Sequence, residues 1–324
     1  MKTILVSGAS GIVGYGCLKS ICMDRNNYKL IGASIYTDSV ASKFCDIFEL
    51  SPVSSSPGYT EWLVQIIKKH AVDLIIPGIE IDVQVWTNNI GLLKRTGTKV
   101  LLNNPELIKL CADKWNFYNV LKDSNSEYSI DSEISNDFDY LSKKFGLPFL
   151  LKPRKGYGSK GIVRVGSESM FNLHKENIGD VLFVQPIVGS DEEEYTIAAF
   201  FDKESKLCAH MTLKRKLSPM GFTEKAEVAT LENAEIALVE LAKNFNPVGP
   251  TNFQFRRCED ELKLLEINPR ISSATSIRAA FGYNESLMSI DYFFNDITPS
   301  QPKILRGSAI RYTEDYIKYD RNYF

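Results

Sequence analysis

Through the first hundred residues, short apolar runs alternate with stretches of helical period. Residues 3–7 (Thr-Ile-Leu-Val-Ser) form one run, residues 29–33 a second, residues 73–77 (Asp-Leu-Ile-Ile-Pro) a third and residues 99–102 a fourth. Between them, residues 13–23 follow a glycine-rich turn, and residues 61–69 carry Trp62, Leu63, Ile66 and Ile67 at helical spacing. Buried strands alternating with amphipathic helices predict a parallel, doubly wound sheet covered on both faces. Residues 124–139 are polar and read as a loop or short helix between modules.

After Gly146 the pattern changes. Residues 149–152 and 161–165 flank a turn rich in Gly and Lys, which predicts an antiparallel hairpin. Residues 181–184, 194–202 and 207–213 are further strand candidates, followed by a helix over about 233–244. Residues 252–257 and 261–267 form a second expected hairpin. The expected fold is therefore an α/β head with a doubly wound parallel sheet, followed by an α+β body.

Composition narrows the function more than the fold. The chain has 324 residues, enough for two or three domains, with 44% hydrophobic and 24% charged residues, as in an ordinary globular protein. Lys plus Arg is 38 against 40 for Asp plus Glu, a net charge of -2, which disfavours electrostatic nucleic-acid binding as the main activity. Six scattered cysteines with no C-x-x-C pair, and only three histidines, disfavour a zinc site and suggest reduced thiols. Glycines 8, 11, 14 and 16 interrupt any leader-like apolar stretch, and no run reaches the ~18 residues of a membrane span. A cytoplasmic location, without membrane or nucleic-acid partners, is expected.

Three segments carry candidate chemistry. Gly8-Ala9-Ser10-Gly11-Ile12-Val13-Gly14 joins a strand to a helix, a spacing suited to the phosphates of a dinucleotide. An NAD(P)-dependent dehydrogenase or epimerase of the short-chain kind would also need a Tyr-x-x-x-Lys pair. Tyr118/Lys122 and Tyr140/Lys144 match that spacing, as chance also allows among 15 tyrosines. The second segment, Lys152-Pro153-Arg154-Lys155-Gly156-Tyr157-Gly158-Ser159-Lys160-Gly161, is a glycine-rich hairpin tip able to fold backbone amides over a polyphosphate, or simply a solvated basic turn. In the third, Glu266 and Asn268 lie two apart on one strand and face the same way, with apolar Ile267 between them facing a core. Gln254, on the preceding strand, can join them as a hard-oxygen set suited to Mg²⁺, and Arg270 just beyond can bind a phosphoryl oxygen.

Taken in order along the chain, these segments resemble the ATP-grasp superfamily, and most closely one synthetase module of the carbamoyl-phosphate synthetase large subunit. The resemblance covers roughly residues 100–290 and, less specifically, the head. It implies a pre-ATP-grasp domain over residues 1–105, a small lobe with a phosphate flap over 106–182, and a large lobe with the metal site and a C-terminal tail over 183–324. By position, Lys114 and Lys152 resemble the two basic nucleotide contacts, and Gly156, Gly158, Ser159 and Gly161 the flap. Gln185 and Ile187 resemble the adenine hinge, with Gln185 where a Glu is usual, and Glu194 the acid holding the ribose. Gln254, Glu266 and Asn268 resemble the magnesium ligands and Arg270 the phosphate clamp; Lys214, Arg215 or Lys216 would meet the transferred phosphoryl group. Arg278 and the turn Ser272-Ser273-Ala274-Thr275 resemble acceptor contacts.

The resemblance implies ATP and Mg²⁺ as cofactors and a small-molecule carboxylate and amine as substrates. The carboxylate would be activated as an acyl phosphate and joined to the amine. A non-catalytic nucleotide-binding relative is the alternative within the fold. The tail, residues 300–324 with Tyr312, Tyr316, Tyr319 and Tyr323, is expected to pack on the body or to form a homodimer contact.

Overall fold

The computed structural model describes residues 1–156, 160–219 and 221–317. Its first strands are β1 (Lys2–Val6), β2 (Tyr28–Ser34), β3 (Ile47–Leu50), β4 (Leu74–Ile76) and β5 (Lys99–Val100). They form a parallel sheet in the order β3-β2-β1-β4-β5, with Ile4 of β1 opposite Leu30 on one side and Leu74 on the other. Alternation along β1 sends Ile4 and Val6 to one face and Leu5 to the other. Ile4 and Val6 pack with Cys17 and Leu18 of the helix Ile12–Ile21. Leu5 packs with Leu63 and Ile67 of the helix Tyr59–His70. The expected doubly wound parallel sheet is present.

The turn from β1 into the helix Ile12–Ile21 is a crossing of backbones. A Cβ on Gly14 would lie 2.4 Å from the Gly8 carbonyl oxygen, and one on Gly78, after β4, would lie 2.1 Å from the Ser7 carbonyl oxygen. Only glycine allows this approach.

The remaining strands are antiparallel. They are β6 (Phe149–Pro153), β7 (Val163–Val165), β8 (Leu182–Pro186), β9 (Glu194–Phe201), β10 (Leu207–Leu217), β11 (Thr223–Val228), β12 (Gly249–Cys258), β13 (Glu261–Asn268) and β14 (Ser308–Ile310). One sheet of three has the order β7-β6-β8; one of six has the order β13-β12-β9-β10-β11-β14. Both expected hairpins form, β6 with β7 (Phe149 opposite Val165) and β12 with β13 (Gln254 opposite Glu266). β9 lies inside the larger sheet and is buried along its whole length.

Phe253 and Phe255 of β12 face a core shared with Leu238 and Leu241 of the helix Ala234–Phe245 and with Phe117 and Leu121 of the helix Lys114–Asp123. The smaller sheet has its own core of Leu141, Phe149, Leu151, Phe171 and Val184. Ile271 and Ile290, from the far end of the chain, complete the apolar layer over the parallel sheet. The polar segment resolves into irregular chain and then a helix, Phe138–Phe145. The tail adds β14 to the edge of the larger sheet, where Tyr312 is exposed; Tyr319 and Tyr323 lie outside the described residues. Among the described residues, no helix is long and apolar enough to cross a membrane.

Candidate functional site

The site is built on the β12–β13 hairpin. Alternation puts Phe253 and Phe255 in the core and turns Asn252, Gln254 and Arg256 to the opposite face. Register sets Gln254 opposite Glu266 and Asn252 opposite Asn268. Glu266 Oε1 accepts from Gln254 Nε2 at 2.5 Å and from Asn268 Nδ2 at 3.0 Å. The two amide oxygens face guanidinium groups: Arg215 Nη2 donates to Gln254 Oε1 at 2.5 Å, and Arg270 Nη2 to Asn268 Oδ1 at 3.0 Å. Gln254, Glu266 and Asn268, singled out by spacing, are thus hydrogen-bonded to one another.

The donor types of this set suit a hard divalent cation. One carboxylate and two amide carbonyls are suitable donors, and both amide oxygens, held here by Arg215 and Arg270 while the amide N–H groups face Glu266, would have to turn toward the ion. Among the described residues no group of three or more His, Cys, Asp or Glu could hold a metal ion. Two members of the set at the hairpin are amides.

Above the hairpin lies a cleft of about 340 Å³. Among the described residues, Lys114, Lys152, Lys155, Lys160, Arg215, Arg256 and Arg270 line it, against Glu194 and Glu266 on the acidic side. Lys152 projects from β6. Desolvation, reinforced by the neighbouring Arg256 charge, lowers its pKa to about 8. Lys114 opens its helix behind the cap residue Asp113, whose side chain accepts from the backbone N–H of Trp115 and Asn116. Burial opposes the charged form of Asp113, yet Arg154 at 2.8 Å and those N–H groups hold the carboxyl below its usual range. Lys114 Nζ donates to the Gly156 carbonyl at 2.7 Å, tying the start of the glycine-rich tip to this helix. Gly156 and Gly161 both adopt positive φ, whereas Gly158 and Ser159 lie outside the described residues.

At the other end, β8 leads into Pro186 and Val188, which line the cleft on either side of Ile187. Gln185 is fully buried; its Nε2 donates to Ser132 Oγ at 2.9 Å and its Oε1 lacks a partner. Glu194, buried at the start of β9, is held from both sides. Arg215 donates to its Oε1 at 2.9 and 3.2 Å, and Arg256 to its Oε2 at 3.1 and 3.4 Å. The ribose-holding acid of the sequence reading therefore already carries two guanidinium partners. Arg256 was missed there, although its place two residues after Gln254 on the same strand was a legible signal.

Strand alternation separates the basic trio. Arg215 is buried in the cleft wall, while Lys214 turns to the other face, where Nζ donates to Glu193 Oε1 at 2.7 Å and lies over the Tyr195 ring. Lys216 is exposed. Arg278 is fully buried and does not line the cleft; it donates to Ser272 Oγ at 2.5 Å and to Asn252 Oδ1 and Thr196 Oγ1 at 2.9 Å, fixing Ser272 and Asn252, which do. Desolvation lowers its pKa and raises that of its buried partner Glu285. Ile12, Val13, Ser272 and Ser273 form the wall toward the parallel sheet.

The dehydrogenase reading finds no support. The Tyr118 hydroxyl donates to the Leu265 carbonyl, and Tyr140 and Lys144, whose Nζ lies over the Tyr140 ring, both donate to Glu133 Oε1, so each tyrosine hydroxyl is spent on another acceptor.

Residues 182–316 match the family model described as ATP-grasp in the biosynthetic pathway with Ter operon. The chain is 23% identical over 292 residues to the carbamoyl phosphate synthase large chain of Methanothrix thermoacetophila, covering 81% of this chain and 26% of that one. It is 26% identical over 319 residues to the large chain of Clostridium botulinum strain Loch Maree, covering 87% and 29%. The chain thus spans about a quarter of the length of these relatives. Biotin carboxylase from Campylobacter jejuni superposes with a TM-score of 0.75 at 16% identity, over 94% of this chain and 73% of that one. N5-carboxyaminoimidazole synthetase from Staphylococcus aureus, solved with ADP, gives 0.73 at 17% identity, over 94% and 80%. Residues 182–316 thus match an ATP-grasp family model, the chain shares its fold with these solved structures along nearly its whole length, and its sequence resembles about a quarter of the carbamoyl phosphate synthase large chain.

Proposed function

We propose that the chain is an ATP- and Mg²⁺-dependent ligase that activates a small-molecule carboxylate as an acyl phosphate and joins it to an amine. The observation that carries this reading is the juxtaposition of an oxygen-donor cluster with a cleft of strongly positive lining. Such a cleft accepts a polyphosphate, and the donor cluster accepts the cation that travels with it.

Lys114 and Lys152 would bind nucleotide phosphates, with Gly156 and Gly161 at the two ends of the glycine-rich flap segment, whose Gly158 and Ser159 lie outside the described residues. The backbone around Gln185 and Ile187 would receive the base, and Glu194 with Arg256 the ribose end. Gln254, Glu266 and Asn268 would hold Mg²⁺, which when bound neutralises charge on the β and γ phosphates. Arg215 and Arg270, both in the cleft lining, would stabilise charge spreading over the phosphoryl oxygens as the carboxylate attacks in line. Lys214, on the outer face, is assigned a supporting role through Glu193. Closure of the flap would keep water from the acyl phosphate until the amine displaces phosphate. Three units, residues 1–105, 106–182 and 183–324, would frame this motion. A cytoplasmic, homodimeric enzyme belongs to the same proposal.

A thermal-shift panel with MgATP, ADP, NAD and NADP tests the nucleotide class, and phosphate release with pooled carboxylates and amines tests turnover. Stabilisation by MgATP and acceptor-dependent phosphate release are expected. Stabilisation by NAD(P) alone would overturn the reading, and MgATP binding without release under any acceptor would favour the non-catalytic alternative.

A further inference from the structure

Glu80 is not among the proposed nucleotide or metal contacts. This residue opens the helix Glu80–Asn88 after β4, on the parallel-sheet side of the molecule. Its carboxylate accepts from Arg270 Nε, across 190 positions of sequence. Arg270 in turn donates Nη2 to Asn268 Oδ1 at 3.0 Å, and Asn268 donates Nδ2 to Glu266 Oε1 at 3.0 Å. Glu80 is therefore one end of a bonded run whose other end is the carboxylate of the donor cluster. Both ends, with Asn268, also line a side cavity of about 550 Å³.

The helix that presents Glu80 is anchored. Two residues on, Asp82 is fully buried and accepts from Ser7 Oγ at 2.5 Å and from the Tyr59 hydroxyl at 2.9 Å. Tyr59 in turn accepts from Trp86 Nε1 at 3.2 Å. The first turn of the helix, and Glu80 with it, is fixed to β1 and to the helix Tyr59–His70.

Arg270 also donates Nη1 to the Ile271 carbonyl at 3.2 Å, so among its recorded acceptors Glu80 is the charged one. Glu80 draws the guanidinium toward the parallel-sheet side; with that charge removed, the next carboxylate along the bonded run is Glu266. A guanidinium paired with Glu266 would occupy the charge a divalent cation needs.

We infer that Glu80 is a positioning residue for the donor cluster: by holding Arg270 on its far side, it leaves Glu266 available to a divalent cation. This rests on the proposal that Gln254, Glu266 and Asn268 take such a cation together with nucleotide. The test uses the full chain, with Glu80→Gln removing the charge and Glu80→Asp retaining it. Calorimetry measures Mn²⁺ affinity in the presence of ADP, ADP affinity in EDTA, and the melting temperature is recorded for each variant.

Outer partners of this kind typically tune metal affinity, so Glu80→Gln should weaken Mn²⁺ binding about tenfold, with metal-free ADP affinity unchanged and Glu80→Asp restoring most of the loss. Unchanged Mn²⁺ affinity in Glu80→Gln would overturn the inference alone. So would a parallel fall of both affinities and melting temperature, which would make the pair a structural tie. A wild type in which the metal adds nothing to nucleotide binding would remove the cation assignment and this inference together.

Discussion

At the scale of single residues, burial and neighbouring charge decide what each basic group can do. Lys152 loses solvation in the cleft and sits near Arg256, so its ammonium gives up its proton around pH 8 instead of near the ordinary lysine value. The charged form binds phosphate, so nucleotide affinity should be full below that value and fall as pH rises through it. Calorimetric titration with ADP between pH 7 and 9 should show weakening in the wild type, and a flatter profile in Lys152→Arg, whose side chain stays charged throughout. Identical profiles would remove Lys152 from the phosphate site.

Arg215 and Lys214 are neighbours with opposite fates. Arg215 is buried against Glu194 and Gln254, and removing it from a buried pair costs about 3 kcal/mol. Lys214 is half-buried in an ion pair on the outer face, of a kind contributing about 1 kcal/mol or less. Urea unfolding should therefore show a larger loss for Arg215→Ala than for Lys214→Ala, and phosphate release should follow the same order. The sequence offered both as equals, because a charge run does not reveal which member strand alternation turns inward. Glu266 and Asn268 were legible because spacing of two with an apolar residue between them fixes a common face. Glu80 was not, because its partner Arg270 lies 190 positions away.

Among elements, legibility followed how much of the driving force is local. The runs that became β1, β2 and β4 are apolar enough to announce strands buried on both faces. β11 is Thr-Glu-Lys-Ala-Glu-Val, rich in residues that disfavour strands, and it forms because β10 and β14 supply its ladder. β14 itself has three residues and exists only by that pairing. The glycine-rich turn was legible as a strand-to-helix junction, but its glycines serve the crossing with the Gly78 loop. Gly14→Ala would force its Cβ into the Gly8 carbonyl and should destabilise the chain by about 1–3 kcal/mol, read as a lowered urea midpoint. An unchanged midpoint would show that this crossing has room to relax.

For the molecule as a whole, the parallel sheet and the larger antiparallel sheet are joined through helices and the segment that follows β13. Ile271 and Ile290 close the apolar layer over the parallel sheet. A Cβ on Gly16 of the helix Ile12–Ile21 would approach Thr275 Cγ2 to 3.0 Å, so that helix packs closely on the segment that follows the donor strand. Glu80 and Arg270 tie the same two regions at the cleft. The near-neutral net charge of -2 conceals a cleft in which basic side chains far outnumber acidic ones, a contrast that composition alone does not reveal.

The central claim, that β12 and β13 present their oxygens to a cation gripping a nucleotide's phosphates, is tested most directly by a crystal structure of the chain with MgADP. The account predicts a metal ion about 2.0–2.1 Å from a Glu266 oxygen, with Asn268 or Gln254 beside it and the diphosphate against Lys114 and Lys152. Nucleotide bound elsewhere, or in this cleft with its metal out of reach of Glu266, would contradict it.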